Sequence, residues 1–114
     1  MGQHFAHLHN NRVAWLEARV ASRGRLAQLD GEPAADRAAL LAALHDSAAA
    51  MRDMLARAQQ EGRMPAFKRS PTAFLGYLIA HEAAHLGEVG VILAQNGRRL
   101  PREVAMGMWD WSVR

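Results

Sequence analysis

The stretch of sequence that decides the fold is SPTAFLGYLIAHEAAHLGEVGVILAQNG, residues 70–97. Ser70 and Pro71 are typical of a helix start, because the serine oxygen accepts a free backbone N–H and proline has no donor to leave unpaired there. The run continues without a break to the Asn-Gly pair at 96–97, and such a pair ends helices. These signals predict one long helix from Ser70-Pro71 to about Gln95.

Helical patterns also fill most of the chain on either side of this stretch. The apolar spacing predicts a first helix from about His4 to Ser22 and a second from about Ala34 to Gln60, which Gly62 would end in the left-handed conformation. A last short helix or turn is predicted for Arg102 to Trp111. The core stripe predicted for the second helix consists of Leu40, Leu41, Leu44, Met51, Met54 and Leu55.

Length and composition indicate an all-α protein with a single domain, residues 1–114. Half of the 114 residues are apolar and only 6% are aromatic. The abundant alanine, leucine and arginine favour helices, whereas the aromatic and β-branched residues that favour strands are scarce. A chain of this length builds one core. We therefore expect an up-down helical bundle with short antiparallel connections.

Charge and cysteine content exclude several classes of function. The chain has 14 basic and 11 acidic residues, no cysteine, and a formal net charge of +3. Disulfide scaffolds, thiolate zinc sites and cysteine nucleophiles are thereby excluded. We expect no nucleic-acid partner, since no recognition motif or basic stripe is present. No apolar stretch is long enough to span a bilayer and no signal peptide is visible, so a soluble cytoplasmic protein is expected.

Six histidines carry most of the functional information. His81 and His85 are four residues apart in the long helix, so both lie on one face and can bind the same ion. A third ligand would come from the first segment, which contains His4, His7 and His9. His4 and His7 share a face, whereas His9 projects to nearly the opposite side.

Burial without a ligand is the simpler interpretation of a histidine inside a helix bundle. We apply it to His45, beside the solvated Asp46, and expect that ring at the edge of the core. For His81 and His85 metal binding is favoured, because burying two unpaired imidazoles costs desolvation free energy that a shared ion offsets.

The HEAAH segment at 81–85 formally matches the zincin motif, in which Glu82 would be the general base of a metalloprotease. Three features disfavour this interpretation. Glu88 occupies the position where the extended metzincin motif requires glycine. The third ligand of a gluzincin-type site could only be Glu103, at the short end of the plausible spacing. Zincins also pack the motif helix against a sheet, and this sequence predicts no strands.

Four segments resemble the DinB-like family. HEAAHLGE at 81–88 is similar to the H-E-x-x-H-R-G-Q segment of that family, and NGRRLP at 96–101 and WDW at 109–111 resemble its C-terminal half. FAHLHNNRVAWLE at 5–17 is similar to the family's second helix. The likeness covers nearly the whole chain.

The resemblance implies a four-helix bundle that holds a divalent ion, Zn²⁺ or Ni²⁺, on His7, His81 and His85. His9 and then His4 are the alternatives for the first ligand. Open coordination positions would hold water or a small-molecule substrate, and the ion would lower the pKa of a bound water or thiol. Members of the family include thiol S-transferases and presumed hydrolases, so a metal-dependent enzyme of one of these types is the leading hypothesis. The alternative is a helical dimerisation or interaction module whose metal is structural or absent.

Two departures from the family pattern carry further expectations. The family's bundle normally begins with a long helix for which this sequence has no room, so an apolar groove would be exposed and we expect a homodimer that buries it. Glu88 replaces a glutamine on the face of His85. It could act as a catalytic base, orient a ligand, bind the ion or lie exposed at the rim. Tyr77, one turn before His81, is expected in the core or, through its hydroxyl, beside the ligands or substrate.

Overall fold

A computed structural model gives the structure of the chain and describes residues 1–18, 26–31, 34–64, 66–110 and 112. The elements are α1 (Gly2–Glu17), α2 (Arg37–Glu61), α3 (Pro71–Gln95) and the short α4 (Arg102–Met106), followed by one 3-10 turn (Gly107–Trp109). None of these described residues lies in a strand, which confirms the all-α class. Across the same residues no helix is both long and apolar enough to cross a bilayer.

The ends of α2 and α3 follow from capping residues. The Ser70 side chain accepts the backbone N–H of Ala73 at 3.2 Å, so α3 starts as predicted. Asp36 does the same for Ala38 at 2.8 Å, which starts α2 three residues later than the predicted Ala34. Gly62 ends α2 in the left-handed conformation, with a φ of 70°.

Helix α1 begins two residues before the predicted His4, and α4 begins at Arg102 as predicted. Helix α1 is described from Gly2 to Glu17. The predicted end at Ser22 lies outside the described residues, as does the predicted end of the last helix at Trp111.

Helices α1 and α2 run parallel, which corrects the short antiparallel connection that the sequence predicted. Ala6 and Leu40 share one small core cluster near the starts of the two helices, and Leu16 and Met51 share the larger cluster further along. Parallel neighbours require a long crossover, and the chain between α1 and α2 supplies one. As a result, α1 and α2 both run antiparallel to α3.

The larger core cluster joins the three long helices at one end of the molecule. Its buried members are Leu16, Met51, Met54, Ala58, Met64, Phe74 and Leu78. Trp15, Phe67, Phe74 and Tyr77 surround the seam between α1 and α3, with ring centroids 5.0 to 6.2 Å apart. Packed aromatic pairs at such distances add to the free energy gained from burial.

Leu41 corrects the predicted core stripe of α2. Leu40, Met51 and Met54 are buried as predicted, whereas the side chain of Leu41 is 56% exposed. Adjacent residues on a helix point about 100° apart, so only one of the two leucines can face α1.

Arg12 connects all three long helices. Its guanidinium donates to Glu82 Oε1 on α3 at 2.8 Å and to the backbone oxygen of Leu44 on α2 at 3.0 Å. A further donation reaches Ser47 Oγ, a fully buried hydroxyl, at 3.3 Å. The half-buried ion pair of Arg12 and Glu82 therefore fixes the register in which α1 and α3 meet.

Candidate metal centre

Three imidazoles from two helices converge on one point beside the core. His7 Nε2 lies 3.3 Å from His81 Nε2, and the ring centroid of His85 lies 4.6 Å from that of His7 and 4.7 Å from that of His81. One nitrogen from each ring lies within 4.8 Å of the others. We call His7, His81 and His85 the inner group.

The geometry of the inner group follows from helix periodicity. His81 and His85 are one turn apart on the face of α3 that meets α1. His7 lies on α1, which runs antiparallel, so its ring reaches the same level from the opposite side. Nitrogens about 2.0–2.1 Å from a tetrahedral Zn²⁺ are about 3.4 Å from each other. The distance between His7 and His81 therefore fits two ligands of a single ion.

His81 has the most perturbed environment of the three. Burial, first, and then the neighbouring His85 and His7 rings lower the pKa of His81 below its usual value of 6.5, while Glu82 opposes the shift. The neutral ring is the form that binds a metal ion. Its Nδ1 is buried without a hydrogen-bond partner. Such an atom costs free energy unless a water or an ion satisfies it.

A second cluster of donors adjoins the inner group on the side of the α1 start. Glu88 Oε2 lies 2.9 Å from His85 Nδ1 and 3.2 Å from His4 Nδ1, and the two histidine nitrogens are 3.4 Å apart. We call His4, His85 and Glu88 the outer group. Glu88, the candidate catalytic residue, is 56% exposed and contacts His4 and His85.

Tyr77 lies between the inner group and the aromatic core. Its ring stacks on His81 at a centroid distance of 5.8 Å and an interplanar angle of 29°. Its hydroxyl donates to Asn11 Oδ1 and accepts from Trp15 Nε1, both at 3.4 Å. The hydroxyl is thus held by α1, and only the ring contacts a candidate ligand.

Glu82, the glutamate of the HEAAH segment, is paired with Arg12. Its carboxylate accepts from two guanidinium nitrogens at 2.8 Å. Both contacts are to Oε1, and they give Glu82 a structural role in holding α3 against Arg12 of α1.

The other two histidines do not join the cluster. His9, the runner-up for the first ligand, is buried, with Nδ1 2.9 Å from the Ala43 oxygen and Nε2 2.8 Å from the Ala27 oxygen. Both ring nitrogens face backbone carbonyl oxygens, so His9 connects α1 to α2 and to the chain that precedes α2. His45 is not at the core edge as predicted, because its side chain is 86% exposed beside Asp46.

Sequence reasoning missed the contacts of Arg12, and it considered His4 only as an alternative to His7 for the first ligand. No local signal identifies Arg12, whose partners lie 32 to 70 residues away in sequence. For His4 a signal existed, because it lies one turn before His7 on the same face of α1. In the structure His4 belongs to the outer group and does not take the place of His7 in the inner group.

Comparison with protein-family models, with curated proteins and with solved structures returned no match.

Proposed function

We propose that the chain binds a divalent metal ion on the inner group and is a DinB-like metal-dependent enzyme. The observation that carries the proposal is the convergence of the three imidazoles. His7 and His81 are 74 residues apart in sequence, yet their Nε2 atoms are 3.3 Å apart. Without an ion, the rings lose hydration, and the hydrogen bond between His7 Nε2 and His81 Nε2 is a small gain against that loss.

The donor set indicates the metal and the type of site. Imidazole nitrogens suit Zn²⁺ and Ni²⁺, and three protein ligands leave a coordination position open, as catalytic sites do. A divalent ion in such a site lowers the pKa of a water or thiol bound to it, which supplies a nucleophile near neutral pH. His7 is exposed, so a small-molecule substrate can approach the group from solvent.

The reaction class follows from the resemblance rather than from the geometry. The DinB-like segments surround the inner group: HEAAHLGE contributes His81 and His85, and the similar N-terminal stretch contributes His7. We therefore assign a hydrolase or a thiol S-transferase as the reaction type. The described residues include no strand of the kind that packs against the motif helix in zincins, which argues against peptide hydrolysis by a zincin mechanism.

Metal analysis of protein purified without a histidine tag tests the proposal. We expect the protein to bind Zn²⁺ or Ni²⁺, and His81→Ala to weaken binding more than about 100-fold, since loss of a ligand exceeds the 10–100-fold effect of losing an outer partner. His45→Ala is the matched control and should bind as the parent does. A folded parent protein that retains no ion under these conditions would overturn the metal function.

A second candidate function is a helical interaction module that acts as a homodimer. Leu75, Ile79 and Leu86 are 44%, 61% and 46% exposed and lie along one stripe of α3. Monomers rarely leave such an apolar stripe in water, and two copies could cover it by packing their α3 helices about a twofold axis.

Light scattering at micromolar concentration tests the dimer. We expect the mass of two chains, and a monomer after Ile79→Glu, which places a charge in the centre of the stripe. A stable monomer of the parent protein would refute the dimer. If the dimer forms while no metal binds, the interaction module is the better account.

A further inference from the structure

The outer group has the properties of a cation site in its own right. Its three donor atoms are separated by 2.9, 3.2 and 3.4 Å. Ligand atoms of one ion are about 3 to 3.4 Å apart when each is about 2.1 Å from it. All three distances of the outer group fall close to that range.

The donors of the outer group also differ in kind from those of the inner group. Two imidazoles and one carboxylate form the set that binds Zn²⁺ in hydrolytic sites and Fe²⁺ in oxygenases, in both cases with positions left open. A shallow surface pocket borders this cluster and is lined by His4, Glu88, Val91 and Ile92. An ion here would therefore keep open positions on the solvent side.

We propose that the outer group is a second divalent-cation site, so that one chain takes up two ions linked through the ring of His85. An imidazole has two nitrogens and can bind an ion through each. His85 belongs to both groups. When both of its nitrogens bind, its ring proton passes to solvent, and the resulting negative ring together with Glu88 offsets the repulsion between the two ions.

The proposed second site shares only His85 with the inner group, so it depends on the proposed metal function only through this residue. The inner group has no charged donor, and the carboxylate of Glu88 contacts one of its rings, at His85 Nδ1. The simpler arrangement is a hydrogen bond in which His85 Nδ1 donates to Glu88 Oε2, as many metal-bound histidines do to a carboxylate. That arrangement predicts one ion per chain, so ion counting separates the two.

The experiment is a Zn²⁺ titration of tag-free, chelator-stripped protein, with ions per chain counted by native mass spectrometry and affinities measured by calorimetry. We expect two ions for the parent protein. His4→Ala and Glu88→Ala should each leave one, and so should His7→Ala, which removes a donor of the inner group alone. His45→Ala should leave two. Far-UV circular dichroism checks that each variant remains helical.

The outcomes distinguish this inference from the proposed function. One ion in the parent protein that survives His4→Ala and Glu88→Ala but is lost in His7→Ala overturns the second site and keeps the first. One ion whose affinity falls about 10–100-fold in Glu88→Ala also overturns it, and makes Glu88 a positioning residue for His85. No ion at all overturns both.

Discussion

The seam between α1 and α3 has two contrasting ends. At one end Trp15 packs edge-to-face against Phe74 at a centroid distance of 5.0 Å. At the other end the ring centroids of His7 and His85 are 4.6 Å apart. Tyr77 marks the boundary, with its ring on His81 and its hydroxyl on α1. The same helical spacing thus positions apolar rings that hold the fold and imidazoles that can hold an ion.

The residues that stabilise the fold and the residues that form the candidate site therefore occupy different ends of one helix interface. The aromatic end gains free energy by excluding water, and it needs no ligand. The histidine end has a buried unpaired nitrogen and a lowered pKa at His81, which are costs that the rest of the fold sustains. Substitutions at the aromatic end should therefore change the free energy of unfolding, and substitutions at the histidine end should change metal binding.

Phe74→Ala should have the largest effect on stability. Phe74 is fully buried in the larger core cluster, and removing such a ring typically costs about 3–5 kcal/mol. Urea denaturation of the metal-free protein measures the loss. A loss below about 1 kcal/mol would mean that the aromatic end does not hold the helices together.

Arg12→Ala should have the next largest effect, about 2 kcal/mol. Removing one partner of a buried ion pair costs about 3–5 kcal/mol, and the value is reduced here because Glu82 is 30% exposed. The same denaturation experiment applies. Glu82→Gln is the control, since its amide oxygen still accepts from Arg12, and it should bind metal as the parent protein does. Loss of metal binding in Glu82→Gln would contradict the structural role of this residue.

His9→Ala should destabilise the chain by about 1–3 kcal/mol without changing the number of ions bound. The substitution leaves two backbone oxygens, those of Ala27 and Ala43, without their partner. Thermal unfolding and native mass spectrometry measure the two effects. A loss of bound metal with unchanged stability would instead make His9 a ligand.

Acid should destabilise the metal-free protein through His81, and this is the smallest expected effect. The folded state lowers the pKa of His81, so the unfolded chain binds its proton first. The contribution of His81 is therefore complete above pH 6.5 and is lost as the pH falls below it. Denaturation curves between pH 8 and pH 5, compared with those of His81→Ala, measure it. Equal slopes for the two proteins would contradict the assignment.

Local chemistry made parts of the fold predictable from sequence. The start of α3 depends on Ser70 and the end of α2 on Gly62, and both act within one helical turn. The spacing of His81 and His85 likewise determines that the two rings share a face. The helical pattern does not decide whether His4, His7 or His9 is the first ligand. The resemblance to the DinB-like family is what favours His7.

Long-range pairing explains what the sequence did not reveal. The parallel course of α1 and α2 depends on which helix faces fit together across the crossover, and no local signal records it. His9 and Arg12 bind backbone oxygens of α2, and a backbone oxygen has no signature in the sequence. Leu41 was misassigned because apolar type alone does not tell which of two adjacent leucines faces α1.

The most direct test of the central claim is an anomalous difference map from crystals of the zinc-loaded protein, collected at the zinc edge. The account predicts a peak about 2.0–2.1 Å from one nitrogen each of His7, His81 and His85. A map with no peak among these three rings, or with zinc bound only at His9 or His45, would contradict it.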